Sequence, residues 1–128
     1  MGNFWTGVDN EKLKESEYKL LQINGIPRDA FTIKNVSLDG NPESENYIHE
    51  IYVKGVREGL PKLVCIHGYL SGSIQFSKMM RYLRQYFEVH AICLLGMGSS
   101  GRPVDNDFQG FDDTMGYFID SIQRYVKI

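Results

Sequence analysis

Cysteine is nearly absent from these 128 residues, which hold 2 cysteines, 1 tryptophan and 3 histidines. Two thiols, Cys65 and Cys93, set among apolar neighbours, exclude a disulfide scaffold and read as reduced cysteines of a cytosolic chain. Neither they nor His49, His67 and His90 fall at C-x-x-C or H-x-x-x-H spacing, so no metal site and no cofactor is expected. No charge of one sign dominates. Lys and Arg number 14 against 16 Asp and Glu, for a net charge of −2, without the basic footprint that nucleic acid requires. No window approaches the ~18 apolar residues of a membrane-spanning helix. There is no internal repeat, low-complexity tract or long linker. What is present is the length of one domain with 42% hydrophobic residues, enough apolar surface to offset the entropy of ordering.

The amino terminus, MGNFWTGVDN, lacks the basic and apolar regions of a signal peptide. It fits M-G-x-x-x-[ST], which makes Gly2 a formal acceptor for myristate and offers a peripheral membrane address to an otherwise cytoplasmic protein. One acyl chain anchors only marginally, and no polybasic patch follows to help it.

Residues 10–22 place Leu13, Tyr18, Leu20 and Leu21 on one side of a short helix, ended by Gly25-Ile26-Pro27. Residues 1–30 form an amino-terminal helical extension on this reading. Phe31–Leu38 and Asn46–Lys54, separated by the turn signal Asp39-Gly40-Asn41-Pro42, predict an antiparallel hairpin. Lys62–Ile66 is a short apolar run of the kind buried on both faces of a parallel sheet, and Val89–Leu95 is a second. Between them, Ile74–Phe87 carries Phe76, Met79, Met80, Leu83 and Phe87 at helical spacing. The last stripe, from Phe111 through Met115, Phe118, Ile119, Ile122 and Tyr125 to Val126, is the cleanest, with Asp112 and Asp113 where a cap and a favourable dipole charge belong. A hairpin followed by strand, helix, strand and helix argues for an α/β fold with a parallel sheet. A crossover helix normally returns the chain to a further parallel strand, so part of a fold is expected.

Gly96-Met97-Gly98-Ser99-Ser100-Gly101 is a literal G-x-G-x-x-G after a strand. A dinucleotide site needs that turn to open a helix, but Arg102-Pro103 and Asp105-Asn106-Asp107 follow, so the glycines read as a tight strand exit with positive φ. His67-Gly68-Tyr69 ends the previous strand. Taken alone, such a histidine is more often packed beside a turn than a ligand.

The two exits together resemble the α/β-hydrolase family. Leu63–Tyr69 (LVCIHGY) is similar to its oxyanion strand and loop, and Leu94–Pro103 (LLGMGSSGRP) to its next strand exit. Among its members the resemblance is to lipid hydrolases and acyltransferases, whose LLG-x-G-x-S-x-RP segment precedes an aromatic-rich helix such as Gly116–Ile122. The match runs over about residues 47–128 and implies a partial α/β-hydrolase domain over 31–128, incomplete before the nucleophile strand. It implies that the Tyr69 backbone N–H is an oxyanion donor, that Gly68 lets the chain pass close to substrate, and that the segment from Leu70 through Ser71 and Gly72 to Ser73 shapes the acyl or leaving-group pocket. His67, Gly96, Gly98 and Ser100 would hold the loops, His67 as a brace and not the base, which comes last in this fold's chain order. The family usually carries Asp where this chain has Cys93, and that Asp orders the loop by hydrogen bonds.

Other family parts are missing. No G-x-S-x-G nucleophile elbow occurs, nor the H-x-x-x-x-D of the acyltransferases. His49 in the hairpin and His90 early in a strand are expected far from Ser99 and Ser100. The expected function is the amino-terminal part of a serine hydrolase acting on carboxylic esters, lipids foremost, inactive alone. The alternative is a truncated, non-catalytic relative that binds a partner or membrane through an exposed sheet edge.

Overall fold

The computed structural model describes residues 9–103 and 108–128; Gly2 and the Asp105-Asn106-Asp107 stretch lie outside the described residues. Helix α1 spans Asn10–Ile23. Asp9 caps it by accepting the Lys12 N–H at 3.2 Å, and Gly25, at φ +82°, turns the chain away at its end. The face that α1 buries carries Glu17 and Leu21, while Leu20, expected inside, is exposed. Tyr18 is half-buried, its ring 5.4 Å from that of Phe31.

Strands β1 (Phe31–Ser37) and β2 (Tyr47–Val53) pair antiparallel from Phe31↔Val53 to Ser37↔Tyr47. Strand β3 (Lys62–Ile66) and strand β4 (Glu88–Ile92) run parallel, and the sheet order is β1-β2-β4-β3. This is the expected α/β architecture, a mixed four-stranded sheet with flanking helices. Two expectations are corrected by it. Strand β3, expected to be buried on both faces, alternates exposed and half-buried residues, because β4 inserts between it and β2 and leaves it at the edge of the described sheet. The expected long helix after β3 is a 3₁₀ turn, Ser73–Phe76, leading into a short α2, Ser77–Leu83. Met80 is buried in the core and Met79 is exposed.

Leu21, Ile26, Phe31, Ile33, Ile51, Val53, Met80, Val89 and Ala91 form one core between the sheet and α1 and α2. Each large member contributes roughly 1.5–3 kcal/mol through burial. On the other face lies a smaller cluster of Ile48, Ile92 and Tyr125. Tyr125 comes from α3, Phe111–Lys127, capped by Gly110 with Asp112 and Asp113 in its first turn. Of the expected α3 stripe only Tyr125 is buried, joined by Ser121; Phe111, Met115, Ile119 and Val126 are exposed.

Candidate active-site loops

Parallel pairing sets Ile66 opposite Ile92, so β3 and β4 end side by side and release two loops at the same edge of the sheet. His67 follows β3 and is buried. Its Nε2 accepts the Leu94 backbone N–H at 3.0 Å, which fixes the proton on Nδ1, and Nδ1–H donates to the Gly68 carbonyl at 2.8 Å. The ring thereby ties the two strand exits together and keeps no nitrogen free for proton transfer. Beyond it, Tyr69 and Leu70 project outward, each 88% exposed. Leu70 sits at φ +55°, the one non-glycine residue with positive φ among those described. No hydrogen bond occupies the amides of Tyr69 and Leu70 among the described residues. Ser71 Oγ donates to Gln75 Oε1 at 2.7 Å, and Gly72 accepts the Gln75 N–H at 3.2 Å, which closes the loop onto the 3₁₀ turn.

Cys93 stands between the loops. Its Sγ accepts the Ser73 N–H at 3.3 Å and lies 3.4 Å from Ser73 Oγ as a donor. The loop thus keeps an ordering partner without a carboxylate. A Cβ on Gly98 would come within 2.8 Å of that sulfur, and one on Gly72 within 3.4 Å, so the glycines make room for it.

The G-x-G-x-x-G segment closes on itself. Gly96 and Gly98 have φ of +80° and +54°, and four of the six amides are spent inside the protein. Gly96 N–H donates to Gly101 O, Met97 to Leu94 O, Ser100 to Met97 O and Gly101 to Tyr47 O. A pyrophosphate cradle needs those donors turned outward, at a helix amino terminus. Arg102 adds Nη2 to Gly98 O at 3.0 Å and Nη1 to Ser100 O at 3.4 Å. Ser100 is buried, its Oγ donating to Cys93 O at 2.6 Å and accepting the His49 N–H at 2.9 Å. Its hydroxyl is a fastener, with no exposure to substrate.

That bond corrects the expected separation of His49 from Ser100, for the His49 backbone meets the Ser100 side chain directly. The imidazole turns the other way. Its Nε2 lies 3.1 and 3.0 Å from the two Glu17 carboxylate oxygens and its Nδ1 2.9 Å from Asn35 Oδ1, so both nitrogens are taken. His49 and Ser99 share a cavity of about 170 Å³ beneath α1.

A second buried polar group escaped the sequence reading. Glu50, 2% exposed, faces α3, where it accepts Tyr125 OH at 2.6 Å, His90 Nδ1, and the Lys34 ammonium at 3.3 Å. Burial alone would raise its pKa, but the hydrogen bonds from His90 and Tyr125 and the charge of Lys34 pull it down to about 2. Burial, then Glu50, pushes the Tyr125 phenol up. Alternation within β2 (YIHEIYV) is broken at His49-Glu50, the one local sign of this group. No cluster of His, Cys, Asp or Glu suited to a metal occurs among the described residues.

In fold, the chain is similar to two solved structures, each at 19% identity. It matches a membrane phospholipase A described as a bacterial virulence factor, with a TM-score of 0.59, over 91% of this chain and 31% of that one. It also matches a protein of Acinetobacter baumannii assigned as a lipase, with a TM-score of 0.55, over 98% of this chain and 36% of that one. In sequence it is 28% identical to a 1-acylglycerol-3-phosphate O-acyltransferase of Arabidopsis thaliana. It is 37% identical to a protein of Oryza sativa subsp. japonica assigned the same activity. Each alignment covers 96% of this chain, and the chain spans 31% of each relative's length. No family model matches. No described helix is long and apolar enough to cross a membrane.

Proposed function

We propose that this chain carries the oxyanion strand and loop of an α/β-hydrolase-type serine enzyme acting on lipid esters. One observation carries the reading: the Tyr69 amide is unspent among the described residues, while four of the six amides of the neighbouring Gly96–Gly101 segment are consumed internally. An acyl-transfer transition state places negative charge on the former carbonyl oxygen, and a donor held in position before reaction stabilises it most. Tyr69 N–H is that donor, Gly68 gives close approach, and Leu70, Ser71 and Gly72 border the acyl chain. Relatives named as acyltransferases and fold neighbours named as lipases support the lipid class. Water or a glycerolipid hydroxyl accepts the acyl group by the same chemistry. The substrate is a small ester, with no nucleic acid partner. The work is done in the cytoplasm, with acylation of Gly2 as the link to membranes.

The serine, acid and histidine of such an enzyme lie outside this sequence, so these 128 residues alone are expected to be inactive. Donors without the nucleophile leave only weak residual catalysis. Intact mass of the native polypeptide is the first test, with sequencing of its transcript past the Ile128 codon. A longer product with G-x-S-x-G downstream, followed by Asp and His, supports the reading. A native mass of 14.7 kDa with a stop after Ile128 overturns it. In an active chain, Tyr69→Pro deletes the donor and should cost about 10²–10³ in kcat. A second reading, a non-catalytic partner-binding protein, draws on the edge of β3, where Val64 and Ile66 are exposed. It predicts a stable complex at a native mass of 14.7 kDa.

A further inference from the structure

Helix α1 and the candidate oxyanion loop are joined by an unbroken chain of buried polar contacts. It starts at Glu17, whose carboxylate holds the His49 ring at 3.0 Å. The His49 backbone then takes the Cys93 N–H on its carbonyl at 3.0 Å and gives its own N–H to Ser100 Oγ at 2.9 Å. Ser100 Oγ returns to the Cys93 carbonyl at 2.6 Å, and Cys93 Sγ receives the Ser73 N–H at 3.3 Å. Glu17, His49, Ser100, Cys93 and Ser73 are all buried. A buried polar group must keep its partner or lose a full hydrogen bond without water to replace it, so such a chain has few alternative arrangements. The position of His49 matters as well. Pairing of β2 with β4 ends at Glu50↔Ile92; one residue on, the Cys93 N–H still reaches the His49 carbonyl, while the Ser100 hydroxyl is inserted between the His49 N–H and the Cys93 carbonyl.

From this juxtaposition we infer that α1 is a positioning element for the 67–73 loop, acting from Glu17 through His49, Ser100 and Cys93 to Ser73. Loosening Glu17 frees the His49 segment, and with it the anchor that holds the sulfur under the Ser73 amide. The catalytic meaning of this coupling rests on the oxyanion reading above; the coupling itself does not.

Amide hydrogen exchange by NMR tests it on the intact chain, comparing Glu17→Gln, Cys93→Ala and the double variant. Contiguous contacts show coupling only when their effects fail to add. The expected result is about tenfold faster exchange at Ser73 in each single variant, with the amides of β2 and β4 in the core unchanged. The double variant should exchange no faster at Ser73 than Cys93→Ala alone. His49→Gln, which keeps a side-chain hydrogen bond and the strand backbone, should reproduce Glu17→Gln. Changes confined to α1 overturn the inference, as do additive effects at Ser73 or a uniform rise at every amide. A failure of the hydrolase reading, seen as a native mass without a downstream nucleophile, would leave these rates as stated.

Discussion

Leu94 gives its backbone N–H to His67 Nε2 across 3.0 Å, so one imidazole fastens the exit of β4 to the exit of β3. The same ring donates from Nδ1 to the Gly68 carbonyl, and both neighbours depend on it for a partner. His67→Ala removes both bonds and leaves a void in a buried site. The expected cost is about 2–4 kcal/mol, read as a lower urea midpoint with an unchanged slope. In an active chain the rate should fall while the shape of the pH profile stays, because a ring with no free nitrogen moves no proton. A lost limb in that profile would make His67 the base after all.

Glu50 sets the acid limb of stability. Its carboxyl is held at about 2 in the fold, below the ordinary 4.5, by His90, Tyr125 and Lys34 acting against burial. A depressed carboxyl stabilises the fold above its unfolded pKa, and that contribution is lost as pH falls from about 4.5 through about 2. A lowering of this size is linked to roughly 3 kcal/mol. Denaturant midpoints taken from pH 6 down to pH 2 should fall over that window. Tyr125→Phe removes one of the two hydrogen bonds and should move the fall to higher pH; an unmoved acid limb would show that the tyrosine does not hold the carboxylate.

How much of this was legible in the sequence depended on whether a signal was local. The hairpin, both parallel strands and both long helices announce themselves by period and turn residues; all stand within a residue of where the pattern places them except the end of β4, which stops at Ile92 and not at Leu95. The edge position of β3 was not legible, since KLVCI reads alike in a central and an edge strand. Nor was the shortening of α2, which is preceded by a 3₁₀ turn over Ser73–Phe76 and ends at Leu83. His49 and Glu50 were hidden for one physical reason. Their partners, Glu17 on α1 and Tyr125 on α3, are distant in sequence, and no periodicity encodes a pairing across elements. The α3 stripe misled because it reports the amphipathic character of the helix, while only Ser121 and Tyr125 are covered.

Gly101 sits where no side chain fits. A Cβ there would lie 1.9 Å from the Glu45 carbonyl oxygen, so Gly101→Ala must displace backbone. Overpacking of this kind costs about 1–3 kcal/mol or more, and the fall should appear as a lower Tm. Gly98→Ala meets the Cys93 sulfur at 2.8 Å with φ at +54° and should behave similarly. Gly116, inside α3 with nothing within 4 Å, supplies the contrast. Gly116→Ala should raise stability by about 0.5–1 kcal/mol through helix propensity alone. Equal losses at all three positions would mean that the packing around the second loop is not what fixes its glycines.

Leu70 makes the sharpest case, because stability and function should move in opposite directions there. A leucine at φ +55° pays the steric cost of the left-handed region, and 88% exposure leaves its side chain little packing in return. Leu70→Gly removes about 1–2 kcal/mol of that strain and gives back roughly 0.4–1 kcal/mol in unfolded-state entropy. The net expectation is a slightly higher Tm. On the oxyanion reading the strained residue directly follows the donor at Tyr69, and strain at a loop of this kind persists where the surrounding structure over-determines it. That reading predicts that glycine here loosens the loop around the donor, so an active chain should lose kcat while gaining stability. A variant that keeps its full rate would show that the left-handed residue does not position the donor. One that loses both rate and stability would show that the leucine side chain, not its backbone conformation, is what the loop requires.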